Sequence, residues 1–180
     1  ASRVVEIYTS DAEGFRYATT SYPDYLDLRR EATVFSQLEA TSATFVSYDD
    51  GERTELLFGE EVSHGFFEFL GLPMTLGRGL VVPDETPGAH PLVVLGERFW
   101  RERFAADRGV LGRSLKLNGV DCTIVGVSPA AYQASQAGLV ADVWLPVTMH
   151  DAMAERPSLD RRGSRSLFLK GRLRDEVTVE

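Results

Sequence analysis

Three histidines, one cysteine and several adjacent pairs of acids are the side chains on which chemistry would draw in this chain. A protein metal site needs several His, Cys, Asp or Glu donors that one helix turn or one hairpin can bring to a single ion. His64, His90 and His150 instead stand in separate segments, and only His150 has an acid, Asp151, directly beside it. All three read as ordinary surface histidines. Cys122 sits at an apolar position with no base nearby in sequence, and no Gly-x-Ser-x-Gly elbow occurs anywhere. It reads as a small buried hydrophobe, and a lone cysteine excludes a disulfide within the chain without fixing its compartment. The pairs Asp49-Asp50, Glu60-Glu61 and Asp84-Glu85 have the right types for acid and base work. Two of them fall in turns, where solvated acids are normal. Gly77-Arg78-Gly79 is too short to cradle a phosphate and lies between no strand and helix. The sequence therefore assigns no catalytic, cofactor-binding or metal-ligating residue.

Charge narrows the classes further. Of 180 residues, 27 are acidic and 19 are Lys or Arg, a formal net charge of −8. Binding of DNA or RNA through its phosphates needs the opposite balance, so a nucleic-acid partner is excluded. With 43% hydrophobic residues the chain can bury a core of one generous domain or two small ones. It has no apolar run of the roughly 20 residues a membrane helix needs, and no basic-then-apolar leader over Ala1 to Gly14.

The elements that must position these residues centre on Pro91 to Pro129. A buried strand (Leu92 to Leu95) is followed by an amphipathic helix (Glu97 to Ala105), a Gly-bracketed loop and a hairpin turning at Asn118-Gly119. Both residues tolerate the positive φ that a type I′ turn demands. Leu115 and Leu117 then share one face with Val120, Cys122 and Ile124. Upstream, Arg3 to Tyr8 reads as a strand and Thr9 to Thr20 as a loop. Ser21 caps a helix whose packing face is Tyr25, Leu28, Ala32, Phe35 and Leu38, interrupted near Thr33-Val34. A hairpin follows, Thr41 to Tyr48 against Arg53 to Val62, turning at Asp49-Asp50-Gly51.

Ser63 is expected to cap a short helix, His64 to Leu70, rich in phenylalanine and ended by Gly71. Leu72 to Pro87 is a connector or flap, and Ala130 to Val140 a loop of small residues. Asp142 to Val147 is a short strand, which Pro146 assigns to a sheet edge. Met149 to Arg165 reads as a polar helical turn and a mobile loop, LDRRGSR, before a last strand from Ser166 to Arg174. Thr178 then looks like an N-cap, as if a helix were about to begin, which points to a piece of a longer protein.

Seven segments in this order resemble one family. They are Tyr22 to Glu31 (YPDYLDLRRE), Val34 to Leu38 (VFSQL), Val62 to Gly71 (VSHGFFEFLG) with Leu76 to Arg78 (LGR), and Val93 to Phe104 (VVLGERFWRERF). Val110 to Gly119 (VLGRSLKLNG), Thr123 to Val127 (TIVGV) and Asp142 to Pro146 (DVWLP) complete the set. The chain is similar to the periplasmic core domain of MacB-like ABC transporter permeases, most of all the large-permease branch of acidobacteria. The resemblance implies an α+β fold. A porter-like βαβ lobe, residues 1–61 with 165–180, would carry an inserted smaller α/β lobe, residues 62–164, that contains the hairpin. The porter lobe would still want a helix and a strand after Val179. The resemblance further implies a non-catalytic domain, without cofactor, on the periplasmic face of the inner membrane. It would pass ATP-driven motion from its own transmembrane helices and a cytoplasmic ATPase to a substrate, periplasmic adaptor or lipoprotein, in a permease that is a homodimer.

Two other readings stay open at this point. The Phe66 to Leu70 aromatics and the Pro-rich connector would form the pocket of a soluble small-molecule-binding or sensor domain. A hydrolase would use His64 or His150 with nearby acids.

Overall fold

The computed structural model describes residues 3–10, 16–86, 88–154 and 157–177. The expected cap at Thr178 lies outside these residues, as do Gly14 in the first loop and Pro87 at the end of the connector.

Ser21 begins the first helix as its residue type dictates. Its hydroxyl accepts from the Asp24 N–H at 3.3 Å, and α1 (Tyr22–Glu31) carries Pro23 in its first turn and Arg29 and Arg30 in its last. The helix stops at Glu31. Ala32 caps it, and Phe35 and Leu38, expected on its packing face, lie instead in a 15-residue strand, β3 (Phe35–Asp49). Three- and four-residue spacings continue by coincidence past Thr33-Val34. What decides the local structure is pairing with the last strand, β10 (Arg165–Leu173), in which Leu38 faces Gly171 and Ala40 faces Leu169. The first strand, β1 (Val4–Ile7), also runs antiparallel to β10. With β10 between them, β1 and β3 are parallel, so β1, α1 and β3 form a split βαβ unit. Tyr25 and Leu28 of α1 cover one face of it, against Leu38, Ala40, Leu167 and Leu169. A two-residue strand, β2 (Thr20–Ser21), adds to β10 from the expected loop, whose Thr9 bridges Ala18.

The second half of β3 pairs with β4 (Thr54–Val62) and continues beyond it. Six strands close on themselves: β3, β4, β9 (Val143–Pro146), β6 (Leu92–Leu95), β8 (Val120–Val127) and β7 (Ser114–Leu117), which returns to β3 at Tyr48 and Asp49. Short β5 (Leu76–Gly77) is added to β8. At Gly126 a Cβ would stand 2.1 Å from the Arg78 carbonyl oxygen, so only glycine admits this crossing. The hairpin turns as expected, with Asn118 at φ 47° and Gly119 at φ 79°.

The ring interior holds Val46, Leu57, Val93, Leu95, Leu117, Cys122, Ile124, Val143 and Leu145. Phe99 and Trp100 of α3 (Glu97–Phe104) join this core. Val94 and Trp144 point outward, yet they too are buried, beneath α2 (Phe66–Leu70). Burial on both sides is why β6 and β9 are apolar at every position. It also corrects the edge assignment made from Pro146. β9 is interior, parallel to β4 and antiparallel to β6, and Pro146 is tolerated because it is the last residue of the strand.

Two further expectations change. Ser63 does not cap α2, which starts from Gly65 without a side-chain bond; its hydroxyl accepts from the Ala40 N–H at 2.9 Å and donates to Glu39. The loop expected to be mobile is tied down. Arg162 binds Asp24 and Asp27 of α1, and Asp151 of α4 (His150–Met153) accepts the Ser158 and Leu159 N–H groups at 2.7 and 3.0 Å.

Candidate functional site

Only His90 is exposed as its neighbours suggested, with Nε2 at 2.8 Å from the Thr123 hydroxyl. His64 follows β4, and the strap after α2 brings a short 3-10 turn, Val82–Glu85, against it. Arg29 can only donate, so His64 Nε2 accepts from its guanidinium at 2.6 Å and Nδ1–H donates to Glu85 at 2.6 Å. Glu85 also takes the His64 backbone N–H at 2.7 Å. Asp84 pairs with Arg78 and accepts the Val81 N–H at 2.9 Å. Asp84 and Glu85 are therefore buried and paired, not solvated as their turn implied.

His150 stands where β9 ends, and its Nδ1 lies 2.9 Å from the buried carboxylate of Glu61 in β4. Its Nε2 lies 3.2 Å from the Ser158 hydroxyl. The hydrogen bond to Glu61 raises the His150 pKa above the usual histidine value. Serine, imidazole and carboxylate in this sequence of contacts repeat the arrangement of an acyl-transfer triad. Two further requirements of that chemistry are not met among the described residues. Backbone N–H groups aimed at a developing oxyanion are its largest electrostatic contribution, and here the N–H groups of Ser158 and Leu159 are already taken by Asp151. The cleft at His150 amounts to about 10 Å³, too small for a substrate. The three residues hold the 158–164 loop against the sheet.

Adjacent residues of a strand face opposite ways, so Glu60 points away from Glu61. It is 1% exposed and accepts the Ser135 N–H at 2.7 Å and the Trp144 indole N–H at 3.0 Å. Burial raises its pKa, and these donors oppose the rise. Glu39, equally buried, is raised by burial against the Ser63 hydroxyl. Cys122 is fully buried, and loss of solvent pushes its thiol up to about 12, which leaves it unreactive. Among the described residues no three His, Cys, Asp or Glu side chains converge as metal ligands would.

The expected aromatic pocket is closed. Phe66 and Phe67 are 1% and 4% exposed and pack edge to face on Tyr132 and Trp144, with centroids at 5.7 and 6.0 Å. The open space lies elsewhere. A cavity of about 500 Å³ opens where β3 begins, between the end of α1, Gly65 and Glu68, and the strap residues Leu80, Val81 and Val82. A second, of about 430 Å³, lies on the face of β1, β10 and β3, with Tyr8 and Phe168 at its rim and Glu60 in its lining. No sequence signal marked either, because their walls come from segments far apart in the chain.

The model of the MacB-like periplasmic core domain family matches residues 1–180. No curated protein matches the chain. Solved structures do. The periplasmic region of MacB from Actinobacillus actinomycetemcomitans superimposes with a TM-score of 0.70 at 15% identity, over 97% of this chain and 76% of that one. The extracellular domain of the noncanonic ABC-type transporter YknZ from Gram-positive bacteria gives 0.68 at 14%, over 96% and 84%. A domain of a putative permease from Porphyromonas gingivalis gives 0.63 at 17%, over 90% and 66%. Among the described residues no helix is long and apolar enough to cross a membrane. The split βαβ unit joined to a closed ring of strands thus superimposes on these domains, and the chain belongs to the MacB-like periplasmic core domain family of ABC transporter permeases.

Proposed function

We propose that this domain works as a rigid, non-catalytic lever outside the membrane. It receives ATP-driven motion from the transmembrane helices of its permease and a cytoplasmic ATPase, and passes it to a substrate, periplasmic adaptor or lipoprotein. The observation that carries the reading is the run of β3. Its first residues pair with β10 of the βαβ lobe and its last with β7 of the ring. At about 3.3 Å per residue its 15 residues span roughly 50 Å of chain. A motion imposed on the βαβ lobe is thus carried to the ring by one strand, with no hinge of loop between them. The division into residues 1–61 with 165–180 and residues 62–164 belongs to this reading, with the β3–β4 hairpin as the element the two lobes share. So does the homodimer, in which two such levers would move against each other.

The test is distance measurement by electron spin resonance in the full-length permease reconstituted with its ATPase, with the native thiols removed, Cys122→Ala among them. Labels at Leu56→Cys and Phe168→Cys, both exposed, report the distance within one domain when labelled copies are diluted. Leu56→Cys alone reports the distance between copies. A lever keeps the first distance constant on ATP binding and changes the second by several ångströms. A change within the domain, or none between copies, would sink the reading.

A further inference from the structure

We propose that the cavity at the start of β3 receives an extended, acidic segment of a partner polypeptide, which adds as a short strand to the open edge of β3. Even-numbered residues of β3 turn their backbone away from β10. The Ala40 N–H donates to the Ser63 hydroxyl at 2.9 Å, and the Ala40 carbonyl accepts from the Ser63 N–H at 3.0 Å. β4 ends at Val62 and the chain then leaves for α2, so no strand among the described residues continues this ladder past Ala40. Leu38 follows by strand alternation, with regular pairing from Leu169 to Gly171. Its carbonyl accepts from the Tyr25 hydroxyl at 3.5 Å, its N–H makes no bond among the described residues, and Leu38 lines the cavity. Leu38 is 4% exposed, and a buried backbone N–H is rarely left without a partner. An incoming backbone carbonyl supplies one, which is how peptides join sheet edges.

The walls specify the rest of the ligand. Leu80 is buried beneath the cavity, while Val81 and Val82 present 44% and 66% of their surface beside it, enough to receive an apolar side chain. Three guanidinium groups line it, from Arg29, Arg30 and Arg174. Arg30 is held by Asp27 and Glu31, and Arg29 by His64, Tyr25 and, at 3.8 Å, the Glu85 carboxylate. Arg174 makes one bond, to the Thr33 carbonyl at 2.8 Å, and faces no carboxylate among the described residues. Among the described residues Glu68 stands in the same wall without a paired cation, and Arg174 is the one lining guanidinium that no carboxylate pairs. A carboxylate beside an apolar residue on an extended backbone satisfies the open N–H, the valines and Arg174 together. At about 500 Å³ the space falls within the range of sites that enclose a short segment.

The experiment is selection of the 1–180 protein against a library of random seven-residue peptides, followed by titration of the best binder with hydrogen exchange read at the Leu38 amide. The expected binders are rich in β-branched residues and carry Asp or Glu. They slow exchange at Leu38, and Arg174→Glu or Val82→Asp weakens them by about tenfold or more. Both substituted side chains are exposed, so the fold is retained. No enriched peptide, a preference for basic peptides, unchanged exchange at Leu38, or binding indifferent to both substitutions would each overturn the proposal.

Discussion

The ring of six strands and the split βαβ unit are parts of one sheet held together by different forces. The ring encloses a core of aliphatic and aromatic side chains, and its central strands β6 and β9 are buried on both faces. The βαβ lobe has a smaller apolar cluster under α1 and is closed by polar latches instead. Arg29, His64 and Glu85 fasten the strap, His150 and Glu61 fasten the last loop, and Arg162 ties that loop to α1. Burial of apolar surface is close to insensitive to pH and salt, whereas ion pairs and histidine contacts respond to both. The ring should therefore behave as the permanent body and the βαβ lobe as the part whose loops can be loosened.

The strongest way to break this contrast is a cavity in the ring. Leu145→Ala removes a fully buried side chain and should cost about 2–5 kcal/mol, seen as a lower urea midpoint at unchanged slope. A loss below about 1 kcal/mol would mean that the ring core is not the main store of stability.

A smaller effect is expected from the His150 latch, with a definite sign. Glu61 raises the folded pKa of His150, so its contribution is complete below the unfolded value near 6.5 and is lost as pH rises through the folded value. The melting temperature should fall more steeply between pH 6 and 8 in the native protein than in His150→Gln. Parallel profiles for the two proteins would show that the pair does not couple folding to protonation. The smallest effect is assigned to Arg162→Ala, because Arg162 is well exposed and such pairs add little to global stability. Its melting point should match the native one while amide exchange in residues 158–164 accelerates. Unchanged exchange there would mean that Asp151, not Arg162, anchors the loop.

Local rules made several elements legible from residue types alone. The Asn118-Gly119 turn, the Ser21 cap, strand β6 and helix α3 each depend on neighbours within a few positions, and each forms where its residues place it. The order of seven short segments was enough to place the chain in its family and to give the α+β class. Cys122 was readable as core from the alternation around it.

What failed were inferences in which a local pattern competed with a distant partner. Phe35 and Leu38 continue a helical spacing, but β10, more than 130 residues away in sequence, recruits them into β3. Pro146 signals an edge only if nothing covers the next strand, and β4 and β6 cover it. Asp84, Glu85, His64 and His150 looked solvated because their partners lie 6 to 89 residues away. The sequence by itself determined which short segments form helix, strand and turn, and the family they belong to. Only the tertiary structure decided which acids are buried and paired, where the cavities open and which strand edge stays free, because pairing, burial and cavity walls depend on contacts between segments that no local spacing encodes.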